Sequence, residues 1–318
     1  MSLLDDIFAH AALRDAPPVL VDVGASGGIH PRWRRIARYA VAVGFEPDAR
    51  ERGALEGDRK RFRRWILCDK LVVAEPGRAE AELHLTKSPY CSSTLEPDAA
   101  GLHGWAFADL FTLQETRRVP ATTLMAALQA HGLTGIDWLK CDTQGTDLRI
   151  FRGLPAALRA NLLAAEFEPG LIDAYRGEDK LPAVLAELAA EPFWLARFEP
   201  QAAVRGGLPM LRARLGERWA RRYVHLGPGA PGWANLAYLH TVTPALDLRG
   251  HLLLWVFATE LEQPAFACEL AEAGAVRFGD PLFTRLADES ARQMRRALWR
   301  SWPKWFGLLA ARFGSAER

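Results

Sequence analysis

Between about residues 18 and 242, short and almost wholly apolar runs alternate with longer stretches whose apolar residues recur at the helical period. Runs of the first kind suit strands buried on both faces of a parallel sheet, with helices crossing between them. VLVDVG (19–24) and AVAVGFE (40–46) predict two central strands, and RWILCDKLVVA (64–74) a third. AELHL (81–85) alternates, so it predicts a strand with one open face. After Glu46, Asp48 with Glu51 three residues on has capping-box spacing and predicts a helix ending near Gly57. TTLMAALQAHG (122–132) predicts a helix between a Thr cap and a terminal glycine. IDWLKCD, TDLRIFRG and LLAAEFE continue as strand, helix, strand through Glu168, followed by a helix at 181–190 and the apolar runs FWLARFE and WANLAYLH. The expected fold class is α/β: a mainly parallel sheet flanked by helices.

The pattern breaks in two places. Thr86 to Arg118 mixes polar, glycine and aromatic residues without a period, and a loop this long inside a domain predicts a lid or substrate loop. After about Pro244 the chain turns helical, with HLLLWVFATEL, ACELAEAG and PLFTRLADESARQMRRALWRSW in succession. Residues 1–243 are therefore expected to form the sheet domain and 244–318 a helical C-terminal appendage.

A net charge of +2 over 318 residues neither requires nor rules out a polyanionic partner. Four scattered cysteines, Cys68, Cys91, Cys141 and Cys268, with no CxxC pair, read as reduced thiols. The first residues carry Asp5 and Asp6 where a signal peptide would be uncharged, and no apolar run reaches the length of a membrane span, so the cytoplasm is the expected compartment.

Chemistry gathers at LVDVGASGGIH (20–30), where a buried strand ends in a glycine turn, the place at which an open parallel sheet holds its ligand. A dinucleotide turn requires G-x-G-x-x-G; Gly24 fits its first position, but Ser26 and Ile29 occupy the other two. Asp22 would repel a diphosphate, whereas it suits a ligand with an ammonium and a sulfonium. Glu46 ends the next strand, where a carboxylate can accept from both hydroxyls of a ribose.

These motifs resemble the FkbM-type family of S-adenosylmethionine-dependent methyltransferases. The family pattern runs Asp-Val-Gly-Ala-Asn-x-Gly, Phe-Glu-Pro and Leu-Lys-Ile-Asp-x-Glu-Gly; this chain has DVGASGG at 22–28, FEP at 45–47 and LKCDTQG at 139–145, in that order. VPATTL (119–124), DLRIFRGL (147–154) and AEFEP (165–169) extend the similarity. The resemblance implies a Rossmann-like seven-stranded methyltransferase fold, S-adenosylmethionine as cofactor, and methylation of a hydroxyl on a small-molecule or glycan acceptor. It implies that Asp22, Gly24, Ala25, Ser26 and Gly28 meet the methionine part, Glu46 and Pro47 the ribose, and the stretch around Asp69 and Ala74 the adenine, with Asp142 at the pocket edge. Ser26 stands where the family has Asn, and Gln144 where it has Glu.

An alcohol acceptor needs a base. Asp142 ends an apolar strand beside the expected pocket, where burial would raise its pKa, and capping the following helix is its other reading. Lys140 shares a face with Asp142 and can tune it. His30 follows the glycine turn and is a second candidate base. Glu166 and Glu168 are expected on opposite faces of their strand, so that one of them reaches the pocket and holds a substrate hydroxyl. No His, Asp or Glu cluster has metal spacing, so a metal-free reaction is expected.

Two basic stretches widen the field of partners. DRKRFRRW (58–65) interleaves cations with Phe62 and Trp65 and admits an RNA methyltransferase, although charge runs are more often solvated loops and nucleic acid is disfavoured. From Arg292 on, Arg295, Arg296, Arg300, Lys304, Arg312 and Arg318 face the single acid Glu317, among Leu298, Trp299, Trp302, Trp305 and Phe306. Such a helix can lie peripherally on the inner membrane surface or pack its rings on protein. A non-catalytic S-adenosylmethionine-binding module, suggested by Gln144, and a nicotinamide oxidoreductase, opposed by Ser26, Ile29 and Asp22, are the remaining alternatives.

Overall fold

The computed structural model of the chain describes residues 2–28, 30–57 and 59–314, and side chains as far as residue 300 except that of Ala54. Its strands are β1 (Val19–Val23), β2 (Val41–Phe45), β3 (Arg64–Cys68), β4 (Leu71–Val72), β5 (Glu80–Thr86), β6 (Leu113–Thr122), β7 (Trp138–Cys141), β8 (Ala164–Phe167), β9 (Phe193–Ala203) and β10 (Ala230–His240). Seven of them form one sheet in the order β3-β2-β1-β7-β8-β10-β9, with β10 antiparallel to both of its neighbours and the rest parallel. This is the Rossmann-like arrangement expected of a methyltransferase. β2 lies wholly buried and β1 nearly so, as their unbroken apolar runs require. Chain order reverses at β1, which has β2 on one side and β7 on the other, so a crevice opens beyond its C-terminal end.

Three expectations are corrected. RWILCDKLVVA is two strands rather than one: β3 joins the large sheet, the chain turns at the exposed Asp69 and Lys70, and β4 joins a three-stranded sheet ordered β4-β6-β5. The segment Thr86 to Arg118 is not irregular throughout, because β6 begins at Leu113 and pairs antiparallel with β5. Leu113 to Arg118 are all exposed, so burial imposes no alternation by which a strand could be read. Asp48 does not cap the next helix, which spans Arg52–Glu56 with Glu51 at its cap. Its carboxylate instead holds the Arg50 backbone N–H at 2.9 Å and the Arg50 Nε at 2.8 Å.

Arg14–Thr241 form one compact unit. Residues before Arg14 join those from Val242 onward in a second, helical unit, whereas a division at 243 would assign them to the sheet. Within it lie helices Leu248–Glu260, Pro264–Phe278 and Pro281–Gly314. The short helix Leu3–Ala9 is tied there by an Asp6–Arg285 ion pair and by His10 Nε2, 3.0 Å from Asp280. Leu298 and Trp299 are exposed on the last helix, while Lys304, Arg312, Trp302, Trp305, Phe306, Glu317 and Arg318 lie outside the residues whose side chains are described. Among the described residues no helix is long and apolar enough to cross a membrane.

Candidate functional site

Three charged residues sit side by side across the centre of the large sheet. Asp22 on β1 is in register with Lys140 on β7, and Lys140 with Glu166 on β8. Residues in register on parallel strands present their side chains to one face, which brings carboxylate, ammonium and carboxylate together below the crevice. Lys140 Nζ lies 3.0 Å from Asp22 Oδ1 and 3.7 Å from Asp142 Oδ2. Burial works against the Lys140 charge, but the carboxylates of Asp22 and Asp142 outweigh it and leave its pKa above the ordinary value. Burial likewise raises Asp22 despite that ammonium.

Glu166 accepts from Trp138 Nε1 at 2.7 Å and lies 3.4 Å from His30 Nε2. Burial pushes Glu166 up to about 7. Burial first, then the Lys140 and Arg32 cations, press His30 down to about 3. The contact therefore joins a neutral imidazole to a carboxyl group rather than forming an ion pair.

Above this layer, beyond the strand ends, opens a cavity of about 570 Å³. Gly24, Ser26, Glu46, Pro47, Asp142 and Glu168 are among its lining residues. Asp22, Lys140 and His30 are not among them: Asp22 meets the Lys140 ammonium, and His30 meets Glu166, beneath it. Glu166 and Glu168 lie two residues apart and share a strand face, contrary to expectation; position along the strand separates them, Glu168 standing at the mouth and Glu166 underneath. Ala25 and Gly28 close the turn behind the lining, with the Gly28 N–H donating to the Ala25 carbonyl at 3.3 Å. Asp69 also stays outside the cavity, exposed and 3.7 Å from Arg52, while Leu71 and Val72 take a place in the wall.

The turn is built so tightly that glycine is required at its first position. Gly24 has φ +84°, and a Cβ there would sit 1.9 Å from the Asp142 carbonyl oxygen. That approach lets the ends of β1 and β7 close together, and the Asp142 N–H donates to the Val23 carbonyl at 2.9 Å. On the other side of the turn, Glu46 is 4% exposed and raised by burial; it accepts from Ser26 Oγ and from the Asp48 N–H, each at 2.7 Å.

Residues 22–190, just over half of the chain, match the methyltransferase FkbM domain. The chain belongs to the FkbM methyltransferase family. No curated protein matches it.

In this FkbM methyltransferase the departure at Gln144 has a structural answer. Gln144 has φ +58°, and its side chain bridges two groups. Nε2 donates to Asp142 Oδ1 at 2.7 Å, and Oε1 accepts from the Tyr175 hydroxyl at 3.0 Å. A glutamate could accept from Tyr175 but, ionised, could not donate to Asp142. Burial and then the Asp142 charge push Glu168 up to about 9, so at neutral pH Glu168 is a protonated carboxyl group beside Asp142. Asp142 thus accepts from the Gln144 amide on one oxygen and has Lys140 behind the other.

The far half of the FkbM cavity is aromatic. Phe107 packs on Trp233 with ring centroids 6.1 Å apart, and Phe111 on Tyr175 at 5.4 Å. All four rings line the cavity, two of them from the segment expected to act as a lid. The basic run at 58–65 is arranged differently from a base-stacking platform: Phe62 is buried and stacks on half-buried Trp65 at 5.7 Å, and Trp65 packs against Gly44.

Proposed function

We propose that this FkbM methyltransferase transfers a methyl group from S-adenosylmethionine to a hydroxyl of a small acceptor, a sugar unit of a surface glycan or a natural product. The observation that carries the reading is a buried carboxylate, Glu46, at the end of β2, lining the same cavity as the Asp142–Glu168 pair. A carboxylate offers about four lone-pair sites, and Ser26 and Asp48 take two, so two remain for vicinal ribose hydroxyls. Ser26 keeps a small hydrogen-bonding side chain where the family pattern has Asn, and Gly24 brings bare backbone to the cavity wall. These residues fit the cofactor. When bound, it supplies a methyl group activated by a cationic sulfur.

The chain's own part is positioning, proton removal and exclusion of water. Asp142 is the proton acceptor: an acceptor hydroxyl beside it would give up its proton to the carboxylate. Glu168 stands beside Asp142 at the cavity wall and, protonated, can offer a hydrogen bond to the substrate oxygen. The rings of Phe107, Phe111, Tyr175 and Trp233 offer stacking faces for the apolar side of a sugar or natural-product ring. The test follows a labelled methyl group from S-adenosylmethionine into fractionated cell extract. Label entering the glycan or small-molecule fraction with the wild type, and not with Asp142→Asn, is expected; label in protein or RNA would overturn the acceptor class.

A further inference from the structure

We infer that the helix Leu208–Leu226 is a membrane-docking element that presses its outer face onto an anionic lipid surface. The helix is kinked at Gly216, where φ is +73°. Its inner face is short: Leu211 and Ala220 are buried in a cluster with Ala106 and Val204, and Val224 packs against that cluster. Ala106, Val204 and Val224 also line the cavity, so the helix walls the acceptor chamber.

Nearly everything else on it faces solvent. Trp219 is 60% exposed and Leu226 84%, with Tyr223 exposed between them. At spacings of four and seven residues these three make one stripe. Arg218 and Arg222, one turn apart, run beside it, and the Arg222 guanidinium lies 5.1 Å from the Trp219 ring centroid. Glu217 is the helix's one acid, and Arg212 and Arg221 both pair with it, each at 2.8 Å. Arg214, Arg218 and Arg222 have no ion pair among the described residues. An apolar stripe bearing Trp and Tyr, flanked by uncompensated arginines, is what a helix lying in an anionic interface requires: rings enter the headgroup boundary while guanidinium groups meet phosphates. Solvent gives the stripe no comparable partner. The inference does not depend on which acceptor is methylated.

Flotation of the full chain with vesicles tests it. The wild type is expected to float with phosphatidylglycerol vesicles, to stay behind with phosphatidylcholine vesicles, and to be released by salt. Arg218→Gln with Arg222→Gln is expected to weaken binding about thirtyfold, and Trp219→Ser with Tyr223→Ser to abolish it. These side chains are exposed, so unchanged unfolding temperatures are expected and separate lost docking from lost folding. Failure of the wild type to float, or undiminished flotation of both variants, would overturn the inference. So would variants that lose self-association or RNA binding in a protein that never bound vesicles.

Discussion

Replacing Gly24 with alanine tests whether the glycine turn is held by a backbone contact rather than by flexibility. The added methyl would lie 1.9 Å from the Asp142 carbonyl oxygen, well inside contact distance, so the ends of β1 and β7 must part by more than an ångström. Alanine at φ +84° also costs about 1–2 kcal/mol for its left-handed backbone. Parting the strands stretches the Asp142 N–H to Val23 carbonyl bond, now 2.9 Å, and turning the Gly24 peptide misaligns its N–H donation to the Phe45 carbonyl, now 3.2 Å, each bond worth about 1 kcal/mol. The sum is about 3–4 kcal/mol, which lowers the unfolding temperature of a unit of this size by roughly 10 °C. Thermal unfolding followed by circular dichroism reads the loss, and titration with S-adenosylhomocysteine reads the accompanying loss of affinity. Gly53→Ala is the control: nothing lies within 4 Å of a Cβ there, and alanine favours the helix by up to about 1 kcal/mol. A Gly24→Ala protein that unfolds with the wild type and binds S-adenosylhomocysteine equally well would refute the reasoning.

Glu46→Ala removes both ribose acceptor sites and should weaken S-adenosylhomocysteine about tenfold to a hundredfold, the worth of one or two hydrogen bonds to a charged group, as measured by calorimetric titration. Asp142→Asn should leave that affinity within about threefold, less than one such bond is worth, while initial rates of methyl transfer collapse. Because folding raises Glu168 from an ordinary 4.5 to about 9, its contribution to stability is complete below 4.5 and is lost as pH rises through about 9; chemical denaturation from pH 5 to 9 should show a decline that Glu168→Gln flattens. Lys140→Met strands Asp22 and Glu166 in the sheet without their ammonium and should destabilise the protein by about 3–5 kcal/mol, read as a lower denaturant midpoint.

Legibility in the sequence follows burial and motif position. β1 and β2 can be read because strands buried on both faces admit only apolar residues apart from Asp22, and Thr123 announces its helix because its hydroxyl accepts from Ala126 three residues on. β6 and the helix Leu208–Leu226 escape such reading, since exposed side chains carry no period. Gly24 and Glu46 are found because strand ends at a switch point are fixed by local pattern. Depth is not in the pattern: Asp22 and His30 adjoin the turn in sequence, yet their partners Lys140 and Glu166 arrive from strands more than a hundred residues away and draw them beneath the cavity. Tyr175 goes unnoticed for the same reason, since only folding brings its hydroxyl to Gln144 and to the Cys91 carbonyl.

Calorimetric titration of the purified protein with S-adenosylhomocysteine, and separately with NADH and NADPH, bears most directly on the reading of this cavity. Saturable binding of S-adenosylhomocysteine that Glu46→Ala weakens, with no heat from either nicotinamide dinucleotide, is the predicted result. Binding of NADH or NADPH without binding of S-adenosylhomocysteine would contradict it.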